Sequence, residues 1–159
     1  MDTGELRNLL CYWYSAKKSE ELITMRILYA ASEARPFAAS GGLADVAGSL
    51  PKALCAAGEE ACVVMPYYVN SFKPEQKEKM NYITNFTVPV GWRSQYCGLF
   101  SQQVDGVTYF FIDNEFYFKR DNGLYGYYDD AERYVFFSRA VLEMLKYIQF
   151  KPQVINSND

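Results

Sequence analysis

The hydrophobic pattern of the chain begins with an apolar run, Ile27 to Ala31, that predicts a first buried strand. Leu43 to Ala57 has the spacing of a helix, and we expect Pro51 to kink or restart it. Gly58 is suited to the end of that helix. The run ACVVMPY, Ala61 to Tyr67, predicts a second strand. This order predicts a βαβ unit with parallel strands and a right-handed crossover.

The middle of the chain is β-prone and has a different pattern. It contains the segments ITNFTVPVGW, YCGLFSQQV and VTYFFIDN, and Asp105-Gly106 indicates a hairpin between the last two. These segments predict a β-meander beside the parallel sheet. We expect Trp92, at the end of the first segment, to lie in the core.

The last part of the chain returns to helical spacing. Apolar residues recur at three- and four-residue steps from Ala131 to Ile148, and Asp129 and Asp130 can cap this helix. The segment VINSND then predicts a short buried strand with its loop. The predicted fold class is therefore α/β, with a parallel sheet and an added meander.

The first residues differ in character from the rest. We predict that residues 1–24 form a helical N-terminal extension and that residues 25–159 form the domain. The extension either packs on the domain or a partner, or is a segment upstream of the domain proper.

Composition narrows the class of protein. The chain has 159 residues, of which 50% are hydrophobic, enough for one domain with a core. Its net charge of −3 argues against nucleic-acid binding, which normally needs a basic surface. No apolar run approaches the roughly 20 residues of a membrane span, so we expect no membrane partner. Nothing resembles a secretory signal, and we expect a cytoplasmic protein with reduced cysteines.

The residue types present also limit the chemistry. The chain contains no histidine, and its 4 cysteines form no C-x-x-C pair. We therefore predict no metal site and exclude a Ser-His-Asp or Cys-His mechanism within this chain. Any chemistry must depend on carboxylates, tyrosines and backbone amides, or on residues that the chain does not contain.

Two adjacent glycines, Gly41 and Gly42, stand between the first strand and the helix. Adjacent glycines allow positive φ and the close approach of a ligand, and a helix start directs amides at an anion such as phosphate. Asp45 is poorly suited to phosphate, so it either accepts hydrogen bonds from sugar hydroxyls or stabilises the helix start. The loop is neither G-x-G-x-x-G nor a P-loop, and an ordinary strand–helix turn is an equally good interpretation.

A tyrosine-rich loop, RDNGLYGYYDD, precedes the last helix and is a second candidate site. Tyrosine rings combine a flat apolar face with a hydroxyl, which suits sugar binding. The alternative is an exposed turn whose aromatic rings pack on the neighbouring helix. Glu33 and Arg35, near the glycines, either bind ligand or form a solvated pair.

Several segments together resemble bacterial glycogen synthases and plant starch synthases, the ADP-glucose-using enzymes of glycosyltransferase family 5. The segments are MRILYAASEARPFAASGGLADVAGSLPKALCAAG, VVMPYY, GLYG, DDAERYVFFSRAVLE and KPQVINSND, and the resemblance spans residues 25–159. It implies the Rossmann-like N-terminal half of a GT-B fold. In this family the N-terminal domain mainly handles the glucan acceptor, and the C-terminal domain holds most of the ADP-glucose.

The resemblance implies transfer of glucose from ADP-glucose to the non-reducing end of an α-1,4-glucan such as glycogen. It implies retention of configuration, and neither a metal nor another cofactor. Asp45 is the implied catalytic residue on the sugar side. The implied substrate-binding residues are Ala39, Ser40, Gly41, Gly42, Tyr125, Asn158 and Asp159.

Two departures from the family pattern change these expectations. Ala39 stands where the family usually has a lysine, so one positive charge near the phosphates is missing. The chain also ends before the family's cleft histidine and its C-terminal domain, so we expect the chain alone to be inactive. The alternative function is a non-catalytic carbohydrate- or nucleotide-binding module. The oligomeric state is not predicted.

Overall fold

The computed structural model describes residues 24–158, so the helix predicted within residues 1–24 lies almost wholly outside the described residues, as does Asp159. The strands are β1 (Arg26–Ala30), β2 (Glu60–Pro66), β3 (Asn81–Val90), β4 (Arg93–Val104), β5 (Val107–Asp113) and β6 (Val154–Ser157). The helices are α1 (Gly42–Ala56), α2 (Pro74–Lys77), α3 (Glu115–Phe118) and α4 (Asp130–Met144).

Within the described range the strands form one six-stranded sheet in the order β3-β4-β5-β2-β1-β6. Strand β1 pairs in parallel with β2 on one side and with β6 on the other, and β2 pairs in parallel with β5. Strands β3 and β4 add antiparallel pairs beyond β5. The predicted parallel sheet with an added meander is confirmed.

The hairpin between β4 and β5 follows from its two central residues. Asp105 has φ of 51° and Gly106 has φ of 82°. Two successive positive φ values are the requirement of a type I′ turn, whose twist matches that of the flanking strands. The hairpin predicted from the Asp-Gly pair is confirmed.

Helix α1 runs unbroken through Pro51, so the chain does not restart the helix there. Ala44, Ala47, Gly48 and Pro51 are buried at three- and four-residue spacing and form the face toward the sheet. Packing of this face offsets the backbone hydrogen bond that proline cannot donate. The helix ends as predicted, because Gly58 follows the cap residue Ala57 with φ of 96°.

Three other expectations about packing are wrong. Trp92 is 93% exposed, because it occupies the turn between β3 and β4 rather than a strand position facing the core. Strand β6 is exposed along its length, because within residues 24–158 it is an edge strand that pairs only with β1. Asp129 makes no capping hydrogen bond, because its carboxylate pairs with Arg120.

The core lies on both faces of the central strands and is rich in aromatic residues. Phe37, Phe72 and Phe111 pack together, with ring centroids 4.7 to 5.1 Å apart. Phe37 comes from the loop after β1, so burial of this ring ties that loop to the sheet. The loop that carries the candidate glycines is therefore anchored at its centre.

Candidate functional site

The parallel strands β1, β2, β5 and β6 end at the same edge of the sheet, which we call the carboxyl edge. From β1 the chain crosses to β2, which pairs with one edge of β1. Strand β6 pairs with the other edge of β1. Ligands of open α/β sheets bind at such a change of direction, beyond the carboxyl ends of the strands. The loops after β1 and β5, which carry the predicted site residues, meet at this edge.

Glu33 holds the glycine loop in place. Glu33 is 2% exposed, and its carboxylate accepts hydrogen bonds from the amide of Ser40 at 2.5 Å and from the amide of Gly41 at 3.2 Å. A charged acceptor strengthens such bonds. These two amides already contact a carboxylate, so a phosphate could bind them only by displacing Glu33.

Backbone conformation does not require glycine at positions 41 and 42. Gly41 is extended, with φ of −157°, and Gly42 is not among the residues with positive φ. The expectation of positive φ is therefore wrong. A Cβ added to Gly42 would meet no described atom within 4 Å, and one added to Gly41 would meet Glu33 Oε1 at 3.9 Å. Both positions open onto free space, so their missing side chains leave room for a ligand.

Asp45 lies in the first turn of α1 and pairs with Arg35. Arg35 Nε donates to Asp45 Oδ1 at 2.5 Å, and the two side chains are 60% and 62% exposed. Glu33 and Arg35 thus have separate partners and do not form the pair considered from the sequence. Asp45 faces solvent in this arrangement, and its catalytic role stays a prediction.

The loop and α1 are also in close contact at Gly48. The amide of Arg35 donates to the carbonyl of Ala44 at 3.1 Å. A Cβ added to Gly48 would lie 2.9 Å from the Arg35 carbonyl oxygen, which is too close for van der Waals contact. Gly48 is therefore needed for the loop to lie against the helix.

Tyr125 extends from the second predicted loop toward the first. Its hydroxyl lies 2.7 Å from Ser32 Oγ, and its ring centroid is 5.9 Å from that of Tyr134. The Tyr68 hydroxyl donates to the Ser32 carbonyl at 2.8 Å and lies 3.1 Å from the Tyr134 hydroxyl. These contacts join the two loops through a series of hydroxyl groups.

Burial raises the pKa of two of these phenols further above neutral pH. Desolvation raises the pKa of Tyr134 to about 12 and raises that of Tyr68 well above its ordinary value. At neutral pH both groups therefore act as hydrogen-bond donors and acceptors rather than as bases. Ser32, Tyr68 and Tyr134 were missed from the sequence, although Ser32 and Tyr68 each follow a predicted strand at its carboxyl end.

The loops enclose a cavity of about 340 Å³ at the carboxyl edge. It is lined by Ser32, Glu33, Gly41, Gly42, Leu43, Tyr125 and Tyr134. Of the predicted residues it brings together Gly41, Gly42 and Tyr125. Ala39 and Ser40 are exposed on the adjoining loop and Asp45 on the helix. Asn158 lines a neighbouring cavity of about 500 Å³ that shares Ser32 and Tyr134.

Asp130 and Arg133 anchor the tyrosine-rich loop to α4. Asp130 Oδ2 accepts hydrogen bonds from the amides of Gly126 at 2.7 Å and Tyr127 at 3.1 Å. Arg133 is fully buried and donates to the carbonyl of Leu124 at 3.1 Å and to Asp130. Desolvation acts to raise the pKa of Asp130, but the hydrogen bonds from Gly126, Arg133 and Tyr127 outweigh it and lower that pKa.

Comparison with known proteins identifies the family. The family model described as the starch synthase catalytic domain matches residues 26–159. The chain belongs to this family. Its carboxyl-edge loops are therefore those of a starch synthase catalytic domain, and the predicted Rossmann-like N-terminal part of a GT-B enzyme is confirmed.

The relatives agree with this assignment. The chain is 54% identical over 135 residues to a glycogen synthase of Clostridium botulinum and 56% identical over 135 residues to one of Geobacillus thermodenitrificans. Each match covers 85% of this chain but only 28% and 27% of those proteins. The chain thus spans little more than a quarter of the length of these relatives.

A solved structure matches the fold. It is the catalytic domain of starch synthase IV from Arabidopsis thaliana bound to ADP and acarbose, with a TM-score of 0.75 and 27% sequence identity. The match covers 86% of this chain and 28% of that one. Among residues 24–158 we find neither a helix long and apolar enough to cross a membrane nor a group of three side chains suited to a metal ion.

Proposed function

We propose that this chain is the N-terminal, acceptor-side part of a glucosyltransferase that moves glucose from ADP-glucose to the non-reducing end of an α-1,4-glucan, with retention of configuration. The observation that carries the proposal is the cavity at the carboxyl edge, where the glycine loop fixed by Glu33 faces Tyr125. The glycogen synthases among its relatives and the ADP- and acarbose-bound neighbour support the substrate classes.

The cavity residues have the chemistry that a sugar requires. Tyr125 and Tyr134 offer hydroxyls and ring faces, and Ser32 offers a further hydroxyl. Gly41 and Gly42 leave the opposite side free of side chains, so a sugar ring can approach the backbone. In this proposal Asp45 leaves its exposed pair with Arg35 to accept hydrogen bonds from sugar hydroxyls.

Residues 39–42 supply no charged side chain for a diphosphate. Ala39 carries no charge, and the amides of Ser40 and Gly41 are bonded to Glu33. We therefore assign most of the stabilisation of the leaving ADP to parts of the protein beyond this chain. The loop acts on the glucosyl and glucan side of the cleft. The predicted cytoplasmic location belongs to the same proposal.

Transfer of radiolabelled glucose from ADP-glucose to glycogen tests the proposal. The full-length protein containing this chain should incorporate label, and the 159-residue chain alone should not, because closure of two domains assembles such sites. Glycogen binding without transfer by the full-length protein would instead indicate the non-catalytic carbohydrate-binding module. Incorporation by the chain alone would overturn the division of roles between the two halves.

A further inference from the structure

The two loops of the carboxyl-edge cavity meet at Ser32 and Tyr125, whose hydroxyl oxygens lie 2.7 Å apart. We call this pair the loop contact. The direction of the Ser32 hydroxyl depends on the main chain of Ser32, whose carbonyl accepts a hydrogen bond of 2.8 Å from the Tyr68 hydroxyl. Tyr68 lies behind the described lining of the cavity. It therefore acts on the loop contact from inside the protein, without touching the cavity.

Tyr68 is itself firmly held. It follows the last residue of β2 by two positions and is 2% exposed. The amide of Tyr67 donates to the carbonyl of Ile112 in β5 at 2.9 Å, and the carbonyl of Tyr68 accepts from the amide of Ser71 at 2.9 Å. Its ring meets that of Phe118 edge-on, with centroids 5.7 Å apart. These contacts fix the place of the hydroxyl, as a group that orients another residue requires.

The same hydroxyl reaches the tyrosine-rich loop through Tyr134 of α4. The Tyr68 and Tyr134 hydroxyl oxygens are 3.1 Å apart, and the Tyr134 hydroxyl is also 3.2 Å from the carbonyl of Leu124. Because Tyr68 donates its single proton to Ser32, Tyr134 supplies the proton between the two phenols. The Leu124 carbonyl stays bonded when this happens, since Arg133 also donates to it at 3.1 Å. One hydroxyl thus connects the main chains of both loops.

From this arrangement we propose that Tyr68 is a positioning residue for the glucan acceptor, because its hydroxyl fixes the Ser32 side of the cavity relative to the Tyr125 side. This deepens the proposed function and rests on it. Without the hydroxyl, the main chain of Ser32 loses its bond to Tyr68, and the loop contact opens. A displacement of about 1 Å at a substrate-positioning group can cost roughly a hundredfold in rate. Loss of one hydrogen bond should weaken use of the acceptor about tenfold.

The acceptor should register this change more than the donor does. The loop contact consists of two hydroxyls beside the rings of Tyr125 and Tyr134, a combination suited to a neutral sugar. In the proposed function the diphosphate of ADP-glucose is held mainly by parts of the protein beyond this chain. The donor therefore keeps most of its contacts when the loop contact opens, whereas the acceptor loses the shape of its site.

Steady-state kinetics of Tyr68→Phe in the full-length protein is the direct test, since phenylalanine keeps the ring and removes only the hydroxyl. We expect KM for maltotriose to rise about tenfold and KM for ADP-glucose to stay within about twofold of wild type.

Tyr109→Phe is the matched control for this experiment. Tyr109 is also fully buried, and its hydroxyl donates to the carbonyl of Arg35, in the same loop as Ser32, at 3.2 Å. The control therefore loses the same kind of hydrogen bond, away from the loop contact. Its melting temperature should fall as far as that of Tyr68→Phe, to within about 2 °C, while both KM values stay unchanged.

Tyr134→Phe tests whether the two phenols act as one unit. Groups that act through a shared contact give non-additive losses, whereas the losses of independent groups multiply. When Tyr68→Phe and Tyr134→Phe are combined, we expect KM for maltotriose to rise by less than the product of the two single effects. Losses that multiply would overturn the proposal. So would an unchanged KM for maltotriose in Tyr68→Phe, or a fall in kcat with both KM values unchanged, which would mark a structural role alone.

Crystal structures of the full-length wild type and Tyr68→Phe give a readout that does not depend on activity. We expect the two oxygens of the loop contact, 2.7 Å apart with Tyr68 present, to separate beyond about 3.5 Å in the variant, past hydrogen-bond distance. An unchanged distance would overturn the proposal. If the wild-type protein transfers no glucose, the proposed function is wrong, whereas this distance still decides whether Tyr68 positions the loop contact.

Discussion

The carboxylate of Glu33, an almost fully buried residue, accepts a hydrogen bond of 2.5 Å from the amide of the exposed residue Ser40. An acidic side chain therefore lies where an anion-binding loop would present its amides to phosphate. The carboxylate of Glu33 fixes the shape of the loop from inside the protein. The opposite side of the loop, at Gly41 and Gly42, faces the cavity.

Replacing Glu33 with glutamine tests this arrangement. Glu33 accepts the Ser40 amide at Oε2 and the Gly41 amide at Oε1, whereas glutamine has one acceptor oxygen. One amide therefore keeps a neutral hydrogen bond and the other faces an NH2 donor. We expect about 1.5 to 3 kcal/mol less stability and at least a tenfold lower kcat/KM in the full-length protein. Chemical denaturation and the transfer assay measure the two effects. Glu59→Gln is the control, because Glu59 also accepts a backbone amide, that of Met25 at 2.5 Å, at the opposite edge. It should lose stability without a specific loss of activity, and equal activity losses in both variants would contradict the role of Glu33.

Gly42→Val separates the need for open space from the need for a turn. No described atom lies within 4 Å of the added Cβ, so we expect little change in melting temperature. The side chain enters the cavity, and transfer should fall tenfold or more, about 1.4 kcal/mol of barrier. Gly48→Ala is the converse control, because its Cβ meets the Arg35 carbonyl at 2.9 Å and should lower stability. Normal kinetics in Gly42→Val would mean that the glycines only make a turn.

Asp45→Asn tests the predicted catalytic residue. An exposed ion pair contributes roughly 0 to 1 kcal/mol, so loss of the pair with Arg35 should move the melting temperature by no more than about 2 °C. We nevertheless expect most activity to be lost, because an amide accepts weaker hydrogen bonds than a carboxylate. Asp105→Asn, which breaks the exposed pair with Lys52 far from the cavity, should keep full activity. Wild-type turnover and KM in Asp45→Asn would show that the residue is structural.

Acid should loosen the tyrosine-rich loop through Asp130. Its pKa is lowered in the folded protein, so its contribution to stability is complete above the unfolded value of about 3.9 and is lost as pH falls through the lower folded value. Thermal melts between pH 6 and pH 2 should therefore fall more steeply for wild type than for Asp130→Asn. Parallel curves for the two proteins would contradict this assignment.

The strands and helices were predictable because apolar periodicity directly reflects burial. The runs after Arg26 and Glu60 are nearly all apolar, as expected of strands covered on both faces. The position of a residue in the fold can override its own tendency to be buried. Trp92 was expected in the core because large aromatic residues usually are buried, but its position in a hairpin turn outweighs that tendency.

The candidate site was only partly predictable, for a different physical reason. Gly41, Gly42 and Tyr125 belong to recognisable loops, and the structure brings them to one cavity. Glu33 was considered only as a ligand residue or one half of a solvated pair, because a carboxylate in a loop usually faces water. Its actual partners are backbone amides seven and eight residues away, and no side-chain pattern records such contacts.

The anchoring of the tyrosine-rich loop has a consequence for protein engineering. Asp130 and Arg133 grip this loop through main-chain atoms, namely the amides of Gly126 and Tyr127 and the carbonyl of Leu124. These hydrogen bonds to main-chain atoms do not depend on which side chain is present at position 125. A library at Tyr125 would lose the hydroxyl contact with Ser32 but keep these main-chain bonds, which makes this position a favourable starting point for changing the shape and polarity of the cavity.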